Sequence, residues 1–497
     1  MRCIQATRLI LTHYKEKTML GFYNILSDEE IAAIHEASLE LMETVGMCID
    51  HEEVLKELAD KGVRVDLDKQ RAYFSAGQVA RALDNIPSDF LYGARNPEHN
   101  IRVGAGKAPF CRALGGAPEA FDVFTGESRP LTPEDGADLA RLIDGLDNLN
   151  TMTTPSLSGF PVHTYDIHTL ATFLANTEKH LSALTVDSKN LKYELEMVEM
   201  VAGSRAALKA APLIDGIVTM IDPFFMPGDE VERLRLYGEY GIPVHLVNVP
   251  ITGATAPYTV AGTIAEINTE FLMGSTLIDF LTPGLPHFYF FLPKAMDMRT
   301  AGITGACIPE NQMIMAAVAQ MARHYKVPSC VSAGSGACCQ THQFMHQYGS
   351  AVNLAMLSGA SEVNGLGQLG GSMQCSQEML VVADEATGFA RHLMQGFDLT
   401  RESMGLDAMD RVGIKGNFLG DPHTFEYLRK EVKYTPGIFQ WTDHGKWSDD
   451  GRPSLLDRAR DKAAAILKDH RPEPLDPGVQ KEIRQLLDSA DRELDPS

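Results

Sequence analysis

Residues 216–249, GIVTMIDPFFMPGDEVERLRLYGEYGIPVHLVNV, hold the pattern that decides the fold. Two apolar runs rich in β-branched residues, Gly216–Ile221 and Pro243–Val249, flank one amphipathic stretch of helical length. That is the spacing of a strand–helix–strand unit, which builds parallel sheets. Working outward, the alternation recurs from about residue 108 to residue 370, with further runs near Phe110–Gly115, Asn150–Pro155, Leu181–Val186, His287–Leu292, Pro328–Ala333 and Glu362–Leu366. About eight such units predict an α/β fold closed into a (β/α)8, or TIM, barrel. An open doubly wound sheet would carry a glycine-rich phosphate loop after its first strand, and neither GxGxxG nor GxxxxGK[ST] stands there.

The flanks read differently. SDEE at Ser27–Glu30 is a capping box, and Ile31, Ile34, Leu41, Met42 and Val45 follow on one helical face until Gly46. A second helix over His51–Lys61, a short strand at Val63–Val65 and a third helix after Ser75 predict a helical N-terminal subdomain over residues 20–107. The barrel then occupies 108–385, with a helix start at Thr132-Pro133, and a helical C-terminal extension occupies 386–497. Its charged repeats, DRARDKAAAILKDH and VQKEIRQLLDSADREL, suit amphipathic helices lying on the barrel or on a sister subunit.

Composition excludes several classes of function. The 497 residues are 44% hydrophobic and 22% charged, which suits a folded globular chain rather than a disordered one. With 44 basic against 66 acidic residues the formal charge is −22, so no broad basic face exists for nucleic acid. The richest apolar stretch, LIDFLTPGLPHFYFFLP from Leu277, is broken by prolines, a glycine and Asp279, and does not read as a membrane span. Eight cysteines spread without repeated spacing point to the reducing cytoplasm. The first residues, MRCIQATRLILTHYKEKT, are too short in apolar core for a secretory signal; residues 1–19 read as a disordered leader, or as the product of a start upstream of Met19.

In a barrel of this kind the loops after the strands gather at one mouth, and the candidates for chemistry are sought there. Asp187 follows the third run, Asp222 with Phe224 and Phe225 the fourth, Asn248 and a loop containing Tyr258 the fifth, and Gly334 opens the loop after the seventh. Asp187 and Asp222 suit a cation or a base, and equally suit capping of the next helix. Phe224, Phe225, Tyr258 and Phe344 are candidates for aromatic faces around a quaternary ammonium, and equally for core. Cys339, His342 and His346, three and four apart, would share a helix face as zinc ligands; the histidines alternatively address a substrate carboxylate.

The segment GATAPYTVAGTIAEINTEFL (Gly253–Leu272), PGLPHFYF (Pro283–Phe290), AMDMRTAG (Ala295–Gly302), GASEVNGLG (Gly359–Gly367) and GNFLGDPHTFEYLR (Gly416–Arg429), with Trp441 and Gly445, together resemble the trimethylamine methyltransferase family. The likeness runs from about Leu26 to the C-terminus. It implies a TIM barrel that moves a methyl group from an amine to the cobalt of a corrinoid (cobalamin) carried by a partner protein, with no cofactor of its own bound permanently.

The archaeal trimethylamine enzymes of that family carry pyrrolysine in the loop that matches Ala333–Cys339, where this chain has standard residues only. A neutral tertiary amine cannot readily expel an amide anion, whereas a quaternary ammonium leaves as a neutral amine. The resemblance to the non-pyrrolysine branch, which contains glycine betaine methyltransferases, therefore implies a quaternary amine: glycine betaine, proline betaine, carnitine or γ-butyrobetaine. Asp187, Asp222, Phe224, Phe225, Asn248, Tyr258, Gly334, His342, Phe344 and His346 are the expected substrate contacts, and a homo-oligomer is the expected assembly. Two rivals stay open: a zinc-assisted methyltransferase or hydrolase using Cys339, His342 and His346, and a non-catalytic barrel that binds quaternary amines.

Overall fold

A computed structural model of the chain describes residues 22–104, 107–304, 308–334, 342–430 and 433–495. The expected leader, residues 1–19, lies outside them. Eight parallel strands close into a barrel: β1 (Phe110–Ala113), β2 (Thr151–Thr153), β3 (His180–Ser182), β4 (Ile214–Thr219), β5 (Val244–Asn248), β6 (His287–Phe291), β7 (Ser329–Ser332) and β8 (Glu362–Leu366). Each strand pairs with the next in chain order, and β8 returns to β1. The main helices that follow them are α1 (Pro133–Asp144), α2 (Tyr165–Asn176), α3 (Ser188–Ala202), α4 (Gly228–Tyr240), α5 (Val260–Leu281), α6 (Pro309–Tyr325), α7 (His342–Leu357) and α8 (Gln377–Gln395). Every apolar run in the sequence overlaps one barrel strand. Two strands begin earlier than the runs do, because His180 and Asp215 are polar residues that the barrel interior accepts.

The sequence of each layer follows from what covers it. All residues of β5 and β6 are buried, and they pair in parallel with Leu246 beside Tyr289. A strand covered on both faces needs a continuous apolar run rather than alternation. Helix α5 is buried along most of its length, since the N-terminal helices Asp28–Thr44 and Ala76–Asn85 lie across its outer side. Its apolar character all round is the signature of a helix enclosed on all sides. The Asp28–Thr44 helix carries the expected capping box, with Ser27 and Glu30 each accepting from the other's backbone. It stops at Gly46, whose φ of 72° and close approach to the Ala72 carbonyl exclude a side chain.

The N-terminal region also contains strands. Met47–Ile49, Arg64–Asp66 and Arg71–Tyr73 form a four-stranded sheet with Phe225–Met226 from the loop after β4. A hairpin of Asp89–Tyr92 and Ile101–Gly104 covers the end of the barrel opposite the mouth. There the buried Tyr92 ring stacks on His180 at 3.9 Å and meets Phe110 edge-on. At the C-terminus, helix Leu455–Asp469 packs on α8 and α1, and helix Pro477–Glu493 packs on α3 and α2. Among the described residues no helix is long and apolar enough to cross a membrane.

Candidate active site

The barrel interior is closed by an ionic lattice rather than by aliphatic side chains alone. Arg112 on β1, Asp215 on β4, His245 on β5 and Glu362 on β8 are all fully buried. Arg112 Nη2 donates to Asp215 Oδ1 at 2.9 Å, and its Nε faces Glu362 Oε1. His245 spans the same two acids, with Nδ1 3.0 Å from Asp215 Oδ2 and Nε2 2.9 Å from Glu362 Oε2. Burial and the nearby Arg112 oppose a charge on His245, yet Glu362 and Asp215 outweigh them and raise its pKa above the ordinary value. Burial likewise disfavours the Asp215 carboxylate, and Arg112 with the two histidines, His245 and His180, overcomes it and holds the carboxyl well below its usual range. Arg112 and His245 each bridge Asp215 and Glu362, and such mutual pairing is what allows charge to persist in so dry a place.

Above this floor, at the mouth, lies a second polar cluster. Asp222 follows β4, Asn248 ends β5, and Glu266 and Glu270 stand one turn apart on α5, on one helix face. Asn248 Nδ2 donates to Asp222 Oδ1 at 2.7 Å and to Glu270 Oε2 at 2.8 Å, while its Oδ1 accepts from the Met220 N–H at 3.2 Å. Glu270 Oε1 accepts from the Phe224 N–H at 2.9 Å, which pins the loop after β4 to α5. One carboxylate oxygen from each of Asp222, Glu266 and Glu270 lies within 4.8 Å of the others. Burial, with the Asp222 charge adding to it, pushes Glu266 up to about 8 and Glu270 well above the carboxylate range. Sequence reasoning named Asp222 and Asn248 but missed Glu266 and Glu270. Their signal was present: two carboxylates at i and i+4 in a helix whose one other charged residue is Asp279.

The remaining candidates scatter. Asp187 is the N-cap of α3, accepting from the Lys189 and Asn190 N–H groups at 2.9 Å, so the capping reading holds and its oxygen is spent on the helix. Phe344 is a correction: its ring is fully buried in the core and stacks on Tyr348 at 5.6 Å, because α7 turns that face toward the barrel. Phe224 is half-buried against the core, and Phe225 is half-buried in the strand paired with Cys48. Tyr258 is exposed in the loop before α5. Gly334 donates its N–H to Ser332 Oγ at 3.2 Å. His346 is exposed on α7, whereas Cys339 and the side chain of His342 lie outside what the structure describes. Of the expected contacts, the structure thus gathers Asp222, Phe224 and Asn248 into one place.

The profile of the family described as "Trimethylamine methyltransferase (MTTB)" matches residues 5–494. The chain belongs to that family. Within it, the chain is 27% identical over 472 residues to the trimethylamine methyltransferase MttB of Desulfitobacterium hafniense, covering 94% of each protein. It is 26% identical to a glycine betaine methyltransferase of Desulfitobacterium hafniense, covering 96% of this chain and 99% of that one. The monomethylamine methyltransferase MtmB of Methanosarcina barkeri superposes with a TM-score of 0.50 at 11% identity, covering 95% of this chain and 99% of that one, which bears on the fold alone. As a member of the trimethylamine methyltransferase family the protein is a methyltransferase, and the barrel mouth is where its chemistry is sought.

Proposed function

We propose that the protein takes one methyl group from a quaternary amine, a betaine such as glycine betaine, proline betaine, carnitine or γ-butyrobetaine, and passes it to a corrinoid protein in the cytoplasm. The observation that carries this reading is the rim of the mouth. Ile221 after β4, Val249 and Tyr258 after β5, Met298 and Ile303 after β6, and Met373 after β8 all expose large apolar side chains on strand-to-helix loops. Exposed apolar surface of that extent marks a place that something covers. A trimethylammonium head presents only methyl surface, and a docked corrinoid protein would exclude water above it.

The corrinoid supplies the cobalt nucleophile that accepts the methyl group. The chain's own part is to hold the substrate in line and keep the mouth dry. Because the ammonium charge disappears during the reaction, strong pairing with a full carboxylate would stabilise the bound substrate more than the transition state. The Tyr258 ring, exposed in the loop before α5, offers a diffuse contact that keeps that attraction moderate. His346, with His342 one turn before it, is the proposed partner of a betaine carboxylate.

Incubation with reduced cobalamin and either glycine betaine or trimethylamine tests the reading. Methylation of the cobalamin by glycine betaine, with trimethylamine inert, is the expected result. Comparable rates on the two amines would overturn it, since the loop of residues 334–346 contains only standard residues and no group to activate a tertiary amine.

A further inference from the structure

We propose that Asp222, Glu266 and Glu270 form a binding site for one hard divalent cation at the barrel mouth. The inference is independent of the amine substrate. Glu266 is 4% exposed, and neither of its carboxylate oxygens has a hydrogen-bond partner among the described residues. Leaving a buried polar group unmade costs about 1–3 kcal/mol, more for a charged one, so a side chain held in this way calls for a ligand. The oxygens it would share with Asp222 and Glu270 are already within 4.8 Å. A cation of the Ca2+ or Mn2+ type takes oxygen donors at roughly 2.2–2.6 Å, so donors on opposite sides of its shell stand about 5 Å apart. A trimethylammonium head, whose methyl groups hold oxygens well away from nitrogen, is too bulky to sit among them.

The donor set consists of carboxylate oxygens, with no thiolate or imidazole, which selects Mg2+, Ca2+ or Mn2+ over zinc. Among the described residues no lysine or arginine forms an ion pair with any of the three acids. The other buried group with metal-like spacing, His245, Cys330 and Glu362, differs on this point, because Arg112 already supplies its positive charge. The site also has a way in, since Asp222 is half-exposed on the loop after β4. A bound cation would join that loop to α5 and fix the Ile221–Phe224 segment of the rim.

The experiment uses the full chain, stripped with chelator and titrated with Mn2+, followed by electron paramagnetic resonance and thermal melting. One Mn2+ per chain, displaced by Mg2+ or Ca2+ and raising the melting temperature, is expected. Glu266→Gln is expected to weaken Mn2+ at least tenfold while melting no earlier than the wild type without metal. Should that variant not fold, Asp222→Asn on the exposed loop provides the same comparison. Wild type that shows no melting response to Mn2+, or Mn2+ affinity unaltered by the substitutions, would overturn the site. None of these readouts needs methyl transfer, so the proposed reaction and the proposed cation stand or fall separately.

Discussion

Arg112 and Asp215 meet inside the barrel with Nη2 2.9 Å from Oδ1 and both side chains sealed from solvent. Their pairing sets the floor beneath the mouth, because Arg112 also satisfies Glu362, which His245 shares. Replacing Arg112 by methionine keeps much of the volume and removes the cation, leaving Asp215 to His245 and His180, and Glu362 to His245. The expected loss is about 3–5 kcal/mol, the cost of an uncompensated buried charge. Urea unfolding measures it, and a variant as stable as the wild type would show that the lattice contributes nothing.

Asp144 at the end of α1 ties the C-terminal extension to the barrel. Burial would raise its carboxyl, but His470 Nε2 at 2.7 Å, the Thr177 hydroxyl and the Glu178 N–H prevail and hold it at about 2. A carboxyl lowered in the fold contributes stability that is fully present above its ordinary value of 3.8 and is lost as pH falls toward about 2. The shift corresponds to about 2 kcal/mol. Asp144→Asn is therefore expected to be less stable than wild type by about that amount at pH 6, with the gap narrowing below pH 4. A constant gap across a series of urea melts would contradict the assignment.

Asp187 caps α3 through its Oδ1. Asp187→Ala is expected to cost about 1 kcal/mol of stability, with the KM for the amine changing less than about twofold, or under about 0.4 kcal/mol. Steady-state kinetics beside thermal melts separate the two roles, and a large rise in KM would restore Asp187 to the site.

The rim makes its own prediction. Met298→Glu or Ile303→Glu places a charge on surface that the corrinoid protein is proposed to cover. The KM for the corrinoid protein is expected to rise about tenfold, equivalent to about 1.4 kcal/mol, while turnover with free cobalamin stays the same. Equal effects on both acceptors would move the docking surface elsewhere.

The apolar runs, the Ser27 and Thr132 caps and the glycine at position 46 were legible from local pattern, because chain-neighbour chemistry governs strand burial and helix ends. That was enough for the barrel, its direction and the loops that form its mouth. The family blocks carried the reaction class. The pairing of Cys48 with Phe225 was not legible, since the two residues are far apart in the chain and a two-residue strand has no signature of its own.

Which of the mouth residues belong together was decided only in three dimensions. Asp187 and Asp222 both follow strands in the sequence and look alike there. The fold spends one on capping α3, and sets the other against Asn248 and two acids from α5. Phe344 lies in a mouth segment but points inward, since a helix start fixes where a residue lies along the chain and packing fixes which way it faces. Arg112, His180, Asp215, His245 and Glu362 stand in apolar strands as isolated polar residues, and only barrel closure brings their charges to within hydrogen-bonding distance. The sequence by itself determined the order and burial of the elements, which local chemistry controls. Tertiary structure decided the site, because desolvation and charge pairing depend on distances between residues remote in the chain.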